Sequence, residues 1–415
     1  MKIKFYYSFL VLTLVATLGF FFINTNNPYE YHYQVVKKKI DQDELAITIK
    51  FYEKRLERNP TGYQDMGILA GLYLESAKTT GVETYFEKAE SLALQSIKEM
   101  PLFNLQAPLV LADLYQARHQ FNDAIEIANN ILKQKGHYPT AVSILVKSNL
   151  ALGNIVEGQK QADELIMITP DQSAFILRAT LLGIQNRNGE AEWNFNHALA
   201  LDDSEDPAGA SYARVIFARF MSGLNKTKEA KLLLNEALRI DPQSTLALDQ
   251  MGELNEKEHS YDEAINNYKK AFKLSNQLIY LFKESRSRLS AGELTQGTEL
   301  LEQTEKLVRN EVTNKKTSHL NELVKILLLR RQKNDYVEAL ELAKKESLLR
   351  RNPETLTLLA ESYLKNNNPY EAQKVIREML AVNIYNDEIL KLAEHIEIDL
   401  KNNSLAEVYR NYPRF

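Results

Sequence analysis

The sequence predicts an all-α protein, a stack of helical hairpins behind one apolar N-terminal run. Three observations predict it. A small residue recurs at Ala89, Ala124, Gly158, Ala191, Ala230, Ala264, Gly297, Ala339 and Ala372, in steps of 35, 34, 33, 39, 34, 33, 42 and 33. Around these anchors an apolar or aromatic residue tends to stand four places later and a small one seven later, as in Ala230, Leu234 and Ala237. Those offsets share one helical face. Glycine at 15 and proline at 11 in 415 residues are too scarce for collagen-like, linker-rich and most all-β chains. Length alone suggests two or three domains. The repeat replaces them with one array.

The chain opens with a short basic N-terminus, 1–4. Phe5–Ile23 is then one apolar run, FYYSFLVLTLVATLGFFFI, broken only by Ser8, Thr13, Thr17 and Gly19, with no charge until Glu30. Nineteen helical residues at ~1.5 Å each reach roughly 28 Å, the thickness of a bilayer's hydrocarbon core. Aromatic residues at both ends suit the two interfaces. The run therefore reads as a transmembrane signal-anchor. A cleaved signal peptide is the competing reading, but its nearest cleavage site, Thr17-Leu18-Gly19, would leave Phe20–Ile23 as an apolar new terminus. A buried hydrophobic hairpin is a third. Lys2 and Lys4 face Lys37, Lys38 and Lys39 across the run, so the charge rule is nearly tied. A short basic start places the N-terminus in the cytoplasm and the array outside, the reverse remaining open.

Residues 24–40 read as a linker. Residues 41–60, with Tyr52, Leu56 and Pro60, read as a lone capping helix. The array occupies 61–385. In each copy a first helix precedes the anchor, marked by Leu69-Ala70 with Tyr73, Leu111-Ala112 with Tyr115 and Leu359-Ala360 with Tyr363. Its small residue stands twelve before the anchor in Ala112/Ala124, Ala179/Ala191, Ala218/Ala230, Gly252/Ala264 and Ala360/Ala372. The first copy, Ala70 to Ala89, carries extra residues around Thr79-Thr80-Gly81. Two long steps mark loop insertions at Ser204–Pro207 and Asn310–Thr317. Pro101, Pro170 and Pro242 stop second helices. Residues 386–415 read as a closing helix, Asp387–Lys401, and a tail, with Leu390, Leu392, Ala393 and Ile396 inward.

This pattern resembles the tetratricopeptide repeat (TPR), clearest in KEAKLLLNEALRIDPQ at 228–243 and YDEAINNYKKAFKL at 261–274. The resemblance covers 61–385. The copies at Gly158 and Gly297 are degenerate, and the chain's one tryptophan, Trp193, stands in a second helix instead of the family's usual place. The resemblance implies a right-handed α-solenoid of about nine TPR-like hairpins. With the apolar run, it implies a membrane-anchored bacterial TPR protein.

No chemistry-bearing constellation stands out. The absence of cysteine excludes disulfides, thiolate metal sites, a cysteine nucleophile and a lipoprotein anchor. The seven histidines are scattered, and no phosphate loop, dinucleotide fingerprint or serine elbow occurs. A net charge of −4 gives no global attraction to nucleic acid. The expectation is a non-enzyme with no cofactor, no metal and no nucleic-acid partner.

The resemblance implies a protein or peptide partner in a concave groove lined by first helices. It places Asp249, Glu253 and Glu256 there as an acidic stretch, followed by Phe282 and Arg286, then Val324, Leu328 and Arg331. Such a row could orient a charged peptide; ordinary solvated helix faces are the alternative. The lysine–asparagine pair with which some members hold a chaperone's C-terminus is missing at Leu109/Asp113, Ser143/Lys147, Val215/Arg219, Asp249/Glu253 and Phe282/Arg286. The function that follows is a scaffold anchored in the cytoplasmic membrane, serving envelope assembly, secretion or maturation. A sensor responding to a peptide or glycan, or a noncatalytic subunit of a membrane enzyme, are the alternatives.

Overall fold

The structure is a computed structural model that describes residues 27–34, 42–313 and 320–412. Helix α1 (Gln42–Arg58) packs on the first of a series of antiparallel hairpins. Hairpin one pairs α2 (Tyr63–Thr80) with α3 (Glu83–Glu99), and hairpin two α4 (Gln106–Ala117) with α5 (Phe121–Lys135). Hairpin three pairs α6 (Pro139–Leu152) with α7 (Ile155–Ile168), and hairpin four α8 (Gln172–Ile184) with α9 (Asn188–Ala200). Hairpin five pairs α10 (Pro207–Gly223) with α11 (Thr227–Ile240), and hairpin six α12 (Thr245–Lys257) with α13 (Tyr261–Ser275). Hairpin seven pairs α14 (Leu278–Ser290) with α15 (Leu294–Thr313), and hairpin eight α16 (Leu320–Arg330) with α17 (Lys333–Leu349). Hairpin nine pairs α18 (Pro353–Lys365) with α19 (Pro369–Leu380).

Every repeat anchor stands on a second helix. The seven alanines among them are fully buried, and Gly158 and Gly297 are buried too. A small side chain there lets neighbouring helices approach, and each hairpin covers the face its neighbour exposes. Local signals delimit the helices. Asp171, Asp206, Ser244, Asn352 and Asn386 cap first helices, each accepting the backbone N–H three residues on. From hairpin two onward the turn inside each hairpin holds one residue at positive φ, for example His119, Gly153, Asn186, Asn225 and His259. Asparagine and histidine tolerate this region better than most side chains.

Two expectations change. The closing helix does not stand alone: α20 (Asp387–Asp399) turns at Lys401, at φ 60°, and pairs with α21 (Asn403–Arg410). Ala406, 34 residues past Ala372 (406 minus 372), is buried, so the period runs on into a tenth hairpin. Leu390, Ala393 and Ile396 of α20 are buried, whereas Leu392 is half-buried. The second insertion is partly helical, since α15 continues through Asn310–Thr313.

The array curls far enough to touch itself. The Arg351 N–H donates to the Leu152 carbonyl at 2.8 Å, and Asn352 Nδ2 to the Ala151 carbonyl at 2.9 Å. Asn186 Nδ2 donates to the Asn383 carbonyl at 2.6 Å, and Asn225 Nδ2 to Asp387 at 3.2 Å. Turns of hairpins three to five thus meet the linkers that follow hairpins eight and nine. One turn of the coil takes between five and six hairpins.

Residues 27–34, within the stretch read as a linker, are docked on hairpin five. Tyr31 is 2% exposed, packed with Ala210 and Ile240. Its N–H donates to Glu236 Oε1 at 2.6 Å, and its hydroxyl to the Asp203 carbonyl at 2.6 Å. Arg214 Nε donates to the Tyr29 carbonyl at 2.8 Å and Arg239 Nη2 to the Tyr31 carbonyl at 3.0 Å. The Tyr29 ring meets Phe217 edge-on at 5.6 Å. Residues 202–206, where the repeat step lengthens to 39, supply part of this seat. The predicted span Phe5–Ile23 lies outside the described residues. Among the described residues, no helix is long and apolar enough to cross a membrane.

Candidate functional site

The candidate site is the row of first helices. The acidic residues of α12 face basic residues of α14, one hairpin along. Lys283 Nζ lies 2.6 Å from Asp249 Oδ1 and 2.7 Å from Glu253 Oε1. Gln250 Nε2 donates to the other Glu253 oxygen at 3.1 Å. Glu256 forms an ion pair with Arg286 and accepts hydrogen bonds from Ser287 Oγ at 2.6 Å and the Tyr268 hydroxyl at 3.1 Å.

Burial and neighbouring charge act together here. Burial and the adjacent Glu253 raise the Asp249 carboxyl above its usual range, against the pull of Lys283. Burial also works to raise Glu253, but Lys283, Arg219 and Arg286 outweigh it and hold that carboxyl low. Burial works to lower Lys283 and Arg286, but their acidic partners raise both.

The predicted groove residues therefore fall into two groups. Asp249, Glu253, Glu256 and Arg286 form an inter-repeat ion ladder with Lys283, satisfied within the chain. Phe282, Val324 and Leu328 are buried in one apolar cluster. Arg331 is apart from both, exposed in the left-handed turn after α16.

The first helices of hairpins two and three are more open. Leu109, Val110, Asp113 and Gln116 of α4 and Thr140, Ser143, Ile144 and Lys147 of α6 line a depression of about 300 Å³. Gln116 Nε2 ties the two helices together through the Ile144 carbonyl at 3.0 Å and Ser148 Oγ at 2.8 Å. Asp113 is half-exposed and paired with Lys78, and the Lys147 side chain is exposed. The depression combines an apolar floor with one acid and one base. Among the described residues no three His, Asp or Glu side chains gather to hold a metal ion.

No protein-family model and no curated protein sequence matches the chain. The fold is similar to that of the human IFIT1 dimer with PPP-AAAA, with a TM-score of 0.50 and 16% identity over 90% of this chain and 86% of that one. The fold is TPR-like. A chain of the APC/C hetero-tetramer Cut9–Hcn1 aligns with a TM-score of 0.49 and 16% identity, over 86% of this chain but only 59% of its own length. A tetratricopeptide repeat protein from Parabacteroides merdae aligns over 59% of this chain and 92% of its own, with a TM-score of 0.42 and 15% identity.

Sequence reasoning missed Lys283, Tyr268 and Ser287, although part of the signal was present. Lys283 stands 34 residues after Asp249, one repeat period, so equivalent first-helix positions carried opposite charges. Other bonds between neighbouring hairpins span the same interval, such as Lys226–Glu192 and Asn321–Thr355 at 34 and Lys78–Asp113 at 35. The depression at hairpins two and three had no comparable signal, because it is defined by what its side chains leave unfilled.

Proposed function

We propose that this chain is a membrane-tethered scaffold that docks a polypeptide along its first helices, beginning at hairpins two and three. One contrast carries the reading. The ladder at α12–α14 is closed by its own ion pairs and by buried apolar residues, whereas the α4–α6 depression presents half-buried Leu109 and Val110 beside an exposed Lys147, with Asp113 half-exposed in its pair with Lys78. An extended segment laid there buries its apolar side chains and meets both charges. The scaffold has no catalytic role of its own.

The tether is Phe5–Ile23, with the array on the outer side of a bacterial cytoplasmic membrane. Tethering raises the local concentration of the scaffold near membrane partners. Assembly, secretion or maturation of envelope proteins is the work that suits it.

A photo-crosslinking residue at Ser143, in the full chain in native membranes, tests the docking. The expected result is saturable capture of a defined polypeptide, abolished by Leu109→Arg while membrane fractionation and melting temperature are unchanged. Capture that survives Leu109→Arg, or arises equally from position 286, refutes docking at hairpins two and three. Membrane fractionation and protease access to the array test the tether and its side.

A further inference from the structure

We infer that the outer face of hairpins four and five lies against the membrane surface, held there by the docked segment Asn27–Gln34. The inference rests on the reading of Phe5–Ile23 as a membrane span. Asn27 is the fourth residue after Ile23. At about 3.5 Å per residue, a chain of four residues places it no more than about 14 Å from the end of the span. From Asn27 onward the segment belongs to the body of the array and not to a loose tether. Tyr31 is buried and bonded to Glu236, Asp203 and Arg239, and Arg214 holds the Tyr29 carbonyl two residues before it. A free linker would let the array swivel; this one fixes which face is nearest the bilayer.

The face itself fits a lipid headgroup layer. The Tyr29 ring meets Phe217 of α10 edge-on, and the backbone of Tyr31 bonds Glu236 and Arg239 of the second helix α11, so the segment lies along hairpin five. Trp193 of α9 and Leu232 of α11 occupy equivalent positions, each two residues past its anchor, and are 53% and 40% exposed. Tyr33 at the end of the docked segment is also exposed. Tryptophan and tyrosine rings settle at headgroup depth. Lys226 is paired with Glu192, and Glu229 stands beside Lys228, so the face carries no basic excess. The contact is therefore set by the tether and the aromatic residues, with no requirement for anionic lipid.

Trp193 is the only tryptophan, so its emission reports one place. The full chain is reconstituted into phosphatidylcholine vesicles containing dansyl-headgroup lipid, and flotation is scored first. Energy transfer from Trp193 to dansyl is then compared with that from a Trp193→Phe/Leu307→Trp variant. Leu307 is 45% exposed on α15 of hairpin seven, three hairpins on from hairpin four and half a turn of the coil away. Several-fold greater transfer from Trp193 is expected. A chain that floats but transfers equally from both positions, or more strongly from 307, overturns the inference and leaves the anchor standing. A chain that does not float overturns the anchor, and the inference with it. A Tyr29→Ala/Tyr31→Ala variant carrying either probe should float yet lose most of the difference; a difference that persists removes the docked segment's role. The two-probe comparison does not depend on that variant folding.

Discussion

The Arg351 N–H donates to the Leu152 carbonyl at 2.8 Å, joining the turn of hairpin three to the linker after hairpin eight. A coil held only by neighbour-to-neighbour packing can flex along its length. A bond between distant hairpins restrains that motion, and its cost is paid in geometry at the next residue, Gly153.

Gly153 sits at φ 88°, and a Cβ there would lie 2.3 Å from the Arg351 carbonyl oxygen. Neither backbone can swing aside. Gly153→Ala should cost about 1–3 kcal/mol in strain and overpacking, or open the contact. A lower melting temperature with a larger radius of gyration by solution scattering is expected. Gly292→Ala is the control, since it shares φ 88° but has nothing within 4 Å. It should lower the melting temperature without changing the radius.

Arg214 is 1% exposed and holds both Asp202 oxygens, at 3.1 and 2.7 Å, as well as the Tyr29 and Ala210 carbonyls. Arg214→Leu leaves the half-buried Asp202 carboxylate without its cation, with only Gln172 still donating to it, and releases the Tyr29 carbonyl. The expected loss is about 3–5 kcal/mol in urea unfolding. Adding Asp202→Asn should recover part of it, because the orphaned charge is gone. Equal losses in the single and double variants would show that the charge pair is not the cause.

Lys283→Met should also cost about 3–5 kcal/mol at neutral pH, because Asp249 and Glu253 then face each other without the cation they share, and only the more distant Arg219 and Arg286 act on Glu253. Asp249, already held high, would rise further, and Glu253 would lose the cation that chiefly holds it low. A raised folded pKa gives stability at low pH that is lost as pH rises. The variant should therefore gain on the wild type as pH falls from neutral toward the acid range. Parallel stability curves for the two proteins would contradict this account of the ladder.

Glu236 couples the docked segment to pH. Burial works to raise its carboxyl, but Arg239 and the Tyr31 N–H outweigh it and hold the pKa below the usual value. A depressed folded pKa contributes stability above the unfolded value of about 4.3, lost as pH falls through the folded value. Segment 27–34 should thus be protected at neutral pH and released in acid, read as exchange of the Tyr31 amide. Glu236→Gln should flatten that dependence and leave the amide less protected at neutral pH.

What the sequence made legible was whatever repeats. Anchors such as Ala230 and Ala264 recur because every hairpin solves the same packing problem, and a single period exposes them. The tenth hairpin escaped because Ala406 lacks an apolar or aromatic residue four places on and a small one seven on; Arg410 and Pro413 stand there instead. The groove residues other than Arg331, which lies in the turn after α16, fall on first helices, but position along a helix does not tell exposure. Phe282, Val324 and Leu328 are buried because the coil is tight enough to pack them, a property of the whole array. The seat of Tyr31 on Arg214 and Glu236 joins residues some two hundred apart with no shared period, so no local pattern carries it.

The glycines at small positions of the repeat separate packing from pattern. Gly252 and Gly158 both stand where helices cross, and sequence pattern treats them alike. A Cβ on Gly252 would lie 2.5 Å from the Tyr268 ring. That ring is fully buried, and its hydroxyl bonds Glu256, so it has nowhere to go. Gly252→Ala should lose about 1–3 kcal/mol. A Cβ on Gly158 would meet Leu181 at 3.4 Å and Asn149 at 3.6 Å, ordinary contact distances. Gly158→Ala should gain about 0.5–1 kcal/mol, because alanine favours the helix interior. The two substitutions should therefore move the melting temperature in opposite directions. If the Tyr268 ring is the obstacle, the loss from Gly252→Ala should shrink in a Tyr268→Leu background, with a coupling of about 0.5–3 kcal/mol in the double-mutant cycle. Additive losses would mean that the α12 backbone, and not the ring, resists the added methyl.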